Sequence, residues 1–190
     1  MFDLEETLSH VSENVEGADA FFQAVTADKK THKLGVHYRP YLKDTLVCLK
    51  KLGCELIVWA SGSTEYSNKV ISSFDPDGEF FETRLFRDHC YISPKGLLIK
   101  DLRIINRPLE KCIIVDNHAY SYGFQLDNGV PILPYTGETG DTELLVLSEY
   151  LQYLMRQPQD FRPANRKHFR YEVFEKESNL NKVMKKLLKP

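Results

Sequence analysis

The chain has 190 residues, 42% of them hydrophobic and 12% aromatic, with a net charge of −2. That is ample apolar material for a buried core and excludes a disordered chain; the near-neutral total excludes a nucleic-acid binder driven by overall charge. No apolar run approaches the roughly 20 residues that cross a bilayer, and no signal peptide is visible.

The first residues, MFDLE, read as the end of a strand. Side chains alternate along a strand, so Asp3 and Glu5 point the same way. Two carboxylates on one face repel unless a cation or a shared proton offsets them. The pair suits a site in which one carboxylate attacks and the other handles protons, with a divalent metal between them. The same letters also fit an acidic helix N-cap, with Asp3 and Glu6 as a capping box. A central strand normally brings more apolar residues before its catalytic end, so the chain is expected to be a domain cut from a longer protein.

Further along, 20–27 and 31–37 flank Asp28-Lys29-Lys30 and predict a β-hairpin. Pro40 opens an amphipathic helix to about Leu52, with Gly53 as the residue that ends it. CELIVWA (54–60) is a continuous apolar run, as a strand covered on both faces requires. Ser63 or Thr64 caps a helix to about Phe74, and 75–78 is a turn. FFETRLFR and CYIS are short strands, KCIIVD (111–116) a second buried parallel strand and VPILPY (130–135) a shorter third. An amphipathic helix follows over 142–156, and VMKKLLK near the end suggests another. Strands alternating with helices predict a doubly wound α/β sheet. Cys48, Cys54, Cys90 and Cys112 form no CxxC pair; buried free thiols are expected, hence a reducing intracellular compartment, with the nucleus or cytoplasm expected ahead of the mitochondrion. From Arg156 onward ten Lys/Arg stand against four Asp/Glu, which leaves −8 on the residues before it. This basic end is a solvated helix or an interaction arm.

In a doubly wound sheet, ligands sit at the carboxyl ends of the strands. Asp3 ends the first strand, Ser61 follows the second, and Asp116 and Asn117 end KCIIVD. Lys100 follows the apolar GLLI. Singly, Lys100 could be a surface lysine and Asp116-Asn117 a turn pair. Together they answer the needs of phosphoryl transfer: a nucleophilic Asp3, a cationic Lys100 for phosphate charge, and oxygens of Asp3 and Asn117 for Mg²⁺.

The words DLEETLSH, HYRPYLKDTL, WASGSTEYSNKVI, RLFRDHC, IKDL and VDNHAYSYGFQLDNGVPI, in this order, resemble the CTD-phosphatase-like branch of the haloacid-dehalogenase (HAD) superfamily, which includes small CTD phosphatases, Dullard-type phosphatases and NLI-interacting-factor-like proteins. The resemblance runs from about Phe2 to Leu154. It implies a HAD-type doubly wound parallel sheet over 1–157 with a hairpin insertion at about 18–38, followed by a basic, partly helical extension over 158–190. It implies a Mg²⁺-dependent phosphatase acting on phosphoserine or phosphothreonine in a protein or peptide through an aspartyl-phosphate. By position, Asp3 would be the nucleophile and a Mg²⁺ ligand. Glu5 would give its main-chain carbonyl to Mg²⁺ and its carboxyl as general acid/base, and Asn117 would complete the metal set. Thr7 would support the loop, Asp116 would position Lys100 on the phosphate, Arg87 would lie near the incoming phosphoserine, and Ser61 would stand in on the phosphate for a threonine hydroxyl that the family has one residue earlier. The family has Asp where this chain has Glu5, and Thr where it has Ala60. Both departures leave open a slow enzyme or a binding module that keeps the fold, as the relative in the mitochondrial translocase does. A HAD phosphatase acting on small molecules is a third reading. In the hairpin region, Val25 and Leu34 match apolar substrate-facing positions of the family, whereas Ala27, Ser63 and Glu13 are smaller or more polar.

Overall fold

The computed structural model describes residues 1–25, 30–157 and 159–169. The tip of the expected hairpin at 26–29, with Ala27, and the expected VMKKLLK helix lie outside the described residues.

The shortest segment holds the centre of the sheet. Phe2 bridges in parallel to Val58 on one side and to Val115 on the other. Its N–H donates to Ile57 O and its carbonyl accepts from Trp59 N–H, both at 2.8 Å, while Asp3 N–H donates to Val115 O at 2.9 Å. The outer strands pair in parallel as well: β4 (Ile57–Trp59) with β5 (Thr83–Leu85), and β8 (Ile114–Asp116) with β9 (Gly129–Pro131). The order is therefore β5, β4, residues 1–3, β8, β9. Buried parallel strands need no polar face, which is why IVW and IIVD read as unbroken apolar runs. The last strand is shorter than its run because Pro131 and Pro134 remove donors in VPILPY.

The two faces of the sheet are covered differently. Val58, Ala60, Val115 and Val130 face a large cluster completed by Leu42, Leu46 and Leu49 of α1 (Leu42–Lys51), Val70 and Ile71 of α2 (Thr64–Phe74), and Leu144, Leu147, Leu151 and Leu154 of α3 (Glu143–Met155). Trp59 and Ile114 point the other way, into a smaller cluster with Leu102, Cys112 and Tyr122. Here short 3₁₀ turns over 102–105 and 119–122 take the place of α-helices. Gly129 lets β9 approach the Tyr122 ring: a Cβ there would stand 2.0 Å from it.

The expected hairpin is two strands of a three-stranded antiparallel sheet. β2 (Ala20–Val25) and β1 (Ser9–Ser12) flank β3 (Thr31–Tyr38) on either side. β1 has a single apolar residue, Val11, so no alternation announced it. A two-residue pair, β6 (Tyr91–Ile92) with β7 (Leu98–Ile99), leads into Lys100. The four thiols are free; Cys112 is buried and the other three are half-buried. Among the described residues, no helix is long and apolar enough to cross a membrane.

The packed body runs past Gln157. Phe161 enters the main core, and α4 (Arg162–Phe169) places Asn165 fully inside. The Asn165 amide donates to Asp127 O at 2.8 Å and to Gly129 O at 2.6 Å, and its oxygen accepts from Tyr150 O–H. Asn165→Ala should remove a buried amide and its three hydrogen bonds. It is expected to lower stability by about 3 kcal/mol in denaturant titration, roughly 1 kcal/mol for each hydrogen bond lost.

Candidate active site

The polar residues gather where the parallel strands end. Residues 1–3 stop at Asp3 and β8 stops at Asp116, side by side. Lys100 reaches between them: its Nζ donates to Asp3 Oδ1 at 2.5 Å and to Asp116 Oδ2 at 2.7 Å. All three side chains are buried, Lys100 completely. Its backbone N–H is fixed on Ser121 O at 2.6 Å. The other oxygens are also held: Thr7 O–H donates to Asp3 Oδ2 at 3.2 Å, and His118 N–H to Asp116 Oδ1 at 2.7 Å. The surface-lysine reading of Lys100 is thereby corrected, because an ammonium at the head of a buried sheet needs these carboxylates to be there at all.

After Asp3 the chain turns rather than continuing as a strand or opening a helix. Leu4 O accepts from the N–H groups of Leu8 and Ser9, Glu6 N–H donates to Ser9 O, and Glu6 takes the left-handed φ of 57°. Leu4 and Leu8 are fully buried and pin the turn. The capping-box alternative for Asp3 and Glu6 is corrected accordingly; Glu6 instead accepts from Asn117 Nδ2 at 3.2 Å. Arg39 braces the turn from behind. It donates through Nε and Nη2 to the two oxygens of Asp141, at 2.8 and 2.7 Å, and through Nη1 to Thr7 O. Arg39 and Asp141 carry no motif signal as a pair, since 102 residues separate them.

A cleft of about 410 Å³ opens over this cluster, with Asp3, Glu5, Ser61, Arg87, Asp116 and Asn117 in its walls. Ser61 reaches the cleft because β4 has ended and the chain has begun to bend, whereas Ala60 stays in the core. Exposed Arg87 donates from Nε to Ser61 O at 2.8 Å. Thr7 lies beneath, on Asp3. Both carboxylate oxygens of Glu5 are sealed from solvent, with no hydrogen bond to another residue among the described residues. In the hairpin region Val25 and Ser63 are exposed, Glu13 faces His32 at 3.4 Å, and Leu34 is buried rather than presented. Sequence reasoning missed Gly62, Glu6, His118 and Tyr120 in the cleft walls. Only the glycine just past a strand end was a usable signal. A larger cavity, about 570 Å³, opens around Cys54, Arg107 and Cys112, at the amino ends of the strands and away from the crevice where ligands of such sheets sit.

One ammonium faces three buried carboxyl groups. Burial raises Asp3 to about 7 despite the Lys100 charge, and the charges on Asp116 and Glu5 push the same way. Burial also raises the Glu5 carboxyl. For Lys100 burial works against the charge, but the attraction of Asp3 and Asp116 outweighs it and holds the ammonium protonated. Burial lifts the Tyr66 phenol to about 12, with the Glu5 charge adding. The cluster has oxygen donors in excess and too little positive charge.

The family model of NLI interacting factor-like phosphatases matches residues 1–162. The chain belongs to this family. It is 34% identical over 171 residues to the Caenorhabditis elegans CTD small phosphatase-like protein 3, covering 90% of this chain and 58% of that protein. It is 35% identical over 158 residues to the Homo sapiens CTD small phosphatase-like protein, covering 83% of this chain and 56% of the relative. The chain thus spans little more than half the length of these relatives. Among solved structures, a beryllium fluoride complex of the fission yeast RNA polymerase II CTD phosphatase Fcp1 matches with a TM-score of 0.56 at 15% identity, covering 99% of this chain and 66% of that one. That likeness establishes the HAD fold.

Asp141→Ala should strip Arg39 of its partner while leaving its charge buried. The loss is expected to be about 3–5 kcal/mol by denaturant titration.

Proposed function

We propose that this chain is a Mg²⁺-dependent protein serine/threonine phosphatase that works through an aspartyl-phosphate. The observation that carries the reading is Lys100, buried and shared between Asp3 and Asp116 at the carboxyl ends of adjacent strands. Such a lysine can neutralise phosphate while keeping a carboxylate aligned for attack. An Asp3 oxygen attacks phosphorus, and the bond from phosphorus to the serine or threonine oxygen breaks. Glu5, whose carboxyl is pushed up by burial, gives a proton to the leaving alkoxide. Glu5 then takes a proton from water as that water attacks the aspartyl-phosphate. Inorganic phosphate leaves and Asp3 is regenerated. Arg87 at the rim and Ser61 beside it contact the phosphorylated residue.

The donor set suits a hard cation. Asp3, the main-chain carbonyl of Glu5 and Asn117 offer only oxygens, and the surplus of carboxylates calls for further positive charge. These residues would hold Mg²⁺, which when bound supplies charge beside the phosphoryl oxygens. An open cleft beside a small hairpin sheet suits a phosphorylated residue carried on a protein chain. The alternative, a binding module on the same fold, draws on Glu5 and Ala60, where the family carries Asp and Thr.

The test is release of phosphate from a phosphoserine peptide. Wild type should turn over with Mg²⁺ and stop with a chelator, and Asp3→Asn should lose at least ~10³-fold, since an amide is no nucleophile. Mg²⁺ should raise the melting temperature of wild type and not of Asp3→Asn. Turnover by Asp3→Asn equal to wild type would remove the assignment; absence of turnover in wild type would favour the binding module.

Glu5→Gln should retain the volume and lose the proton donor. We expect kcat to fall by about 10²–10⁴-fold, the usual share of a general acid, measured at saturating peptide.

A further inference from the structure

Two buried polar groups face one place. Among the described residues, neither carboxylate oxygen of Glu5 has a hydrogen bond to another residue, and Ser67 Oγ on α2, where Ser67 is fully buried, has none. Between them stands Gly62. A Cβ added to Gly62 would lie 2.6 Å from Ser67 Oγ and 2.9 Å from Glu5 Oε1, with Tyr66 Cδ1 at 3.2 Å. Both oxygens are closer than carbon atoms tolerate. Gly62 is not among the residues with positive φ, so its backbone is open to any residue. The demand for glycine comes from what crowds it. Nor can the segment retreat: Arg87 N–H donates to Gly62 O at 3.2 Å, Arg87 Nε holds Ser61 O, and Ser67 N–H is tied to Ser63 O.

We propose that Gly62 and Ser67 form the seat of the Glu5 side chain. Gly62 leaves open the space beside which the Glu5 carboxylate lies, and the Ser67 hydroxyl holds that carboxyl in line for proton transfer once the side chain rotates toward it. Both are positioning residues, and the inference rests on Glu5 as the acid/base. A glutamate has one more rotatable bond than an aspartate, and a reacting group displaced by about 1 Å can lose ~10²-fold in rate. Buried polar groups are rarely left unpaired. One rotation of the Glu5 side chain toward Ser67 would satisfy two of them at once. The seat explains how this chain accommodates the longer acid: the space is made by a missing side chain on the neighbouring loop.

The test is a double-mutant cycle of Glu5→Asp and Gly62→Ala, read by melting temperature without substrate and by kcat and KM on a phosphoserine peptide. With Glu5 present, Gly62→Ala should lower kcat by about 10²-fold with KM within about twofold. It should also lower the melting temperature by several degrees. With Glu5→Asp present, the same change should cost less than about 10-fold in kcat and recover part of the melting temperature, the contact with Ser67 at 2.6 Å remaining. Equal losses in both backgrounds would overturn the seat. Ser67→Ala should lower kcat with Glu5 and leave the Glu5→Asp enzyme unchanged; indifference in both would remove Ser67 from it. If the wild type shows no turnover, the phosphatase reading fails, yet the melting-temperature cycle still decides whether Gly62 accommodates Glu5.

Discussion

A lysine ammonium buried among carboxylates is the constraint around which this molecule is arranged. Left alone in a protein interior, that charge would be prohibitive. It is tolerated because Asp3 and Asp116 end two adjacent parallel strands and meet it at hydrogen-bond distance. The adjacency follows from Phe2, which bridges Val58 and Val115 and puts the shortest segment at the sheet centre. β7 and the Ser121 carbonyl then deliver Lys100 from the side. The core stabilises the strands, and the strands bring the carboxylates into contact with their counter-charge.

The turn after Asp3 shows how rigidity is supplied without regular structure. Leu4 and Leu8 anchor it from below, Glu6 accepts a left-handed backbone, and Arg39 clamps Thr7 O while pairing with Asp141. A buried bidentate pair of this kind does more for geometry than for net stability, since desolvation offsets much of the attraction. Here it joins the end of β3 to the approach to α3 and so fixes the loop that presents Asp3 and Glu5.

Membership of the NLI interacting factor-like phosphatase family and likeness to CTD phosphatases set the frame within which Glu5 stands out. The longer acid is sealed in the cleft wall beside Gly62 and Ser67. Burial raises its carboxyl, the direction that the proposed role as proton donor requires.

The parallel strands were legible in the sequence because strands covered on both faces must be apolar throughout, and IVW and IIVD have no other economical fold. The amphipathic faces of α1 and α3 were legible for the same reason, a helix with one apolar stripe having to bury it, and α2 was legible from its cap. Asp3, Lys100, Asp116 and Asn117 could be named because each follows such a run, and a strand end is a local feature. What local patterning could not carry was decided by the tertiary structure. β1 has one apolar residue and exists only through pairing with β3. The second face of the sheet is closed by 3₁₀ turns whose periodicity is too short to read. Arg39 finds Asp141 across 102 residues. The close approach of Gly62 to Glu5 and Ser67 is likewise a meeting of separate segments, set by how the loop after β4 and the start of α2 pack over the turn that follows Asp3.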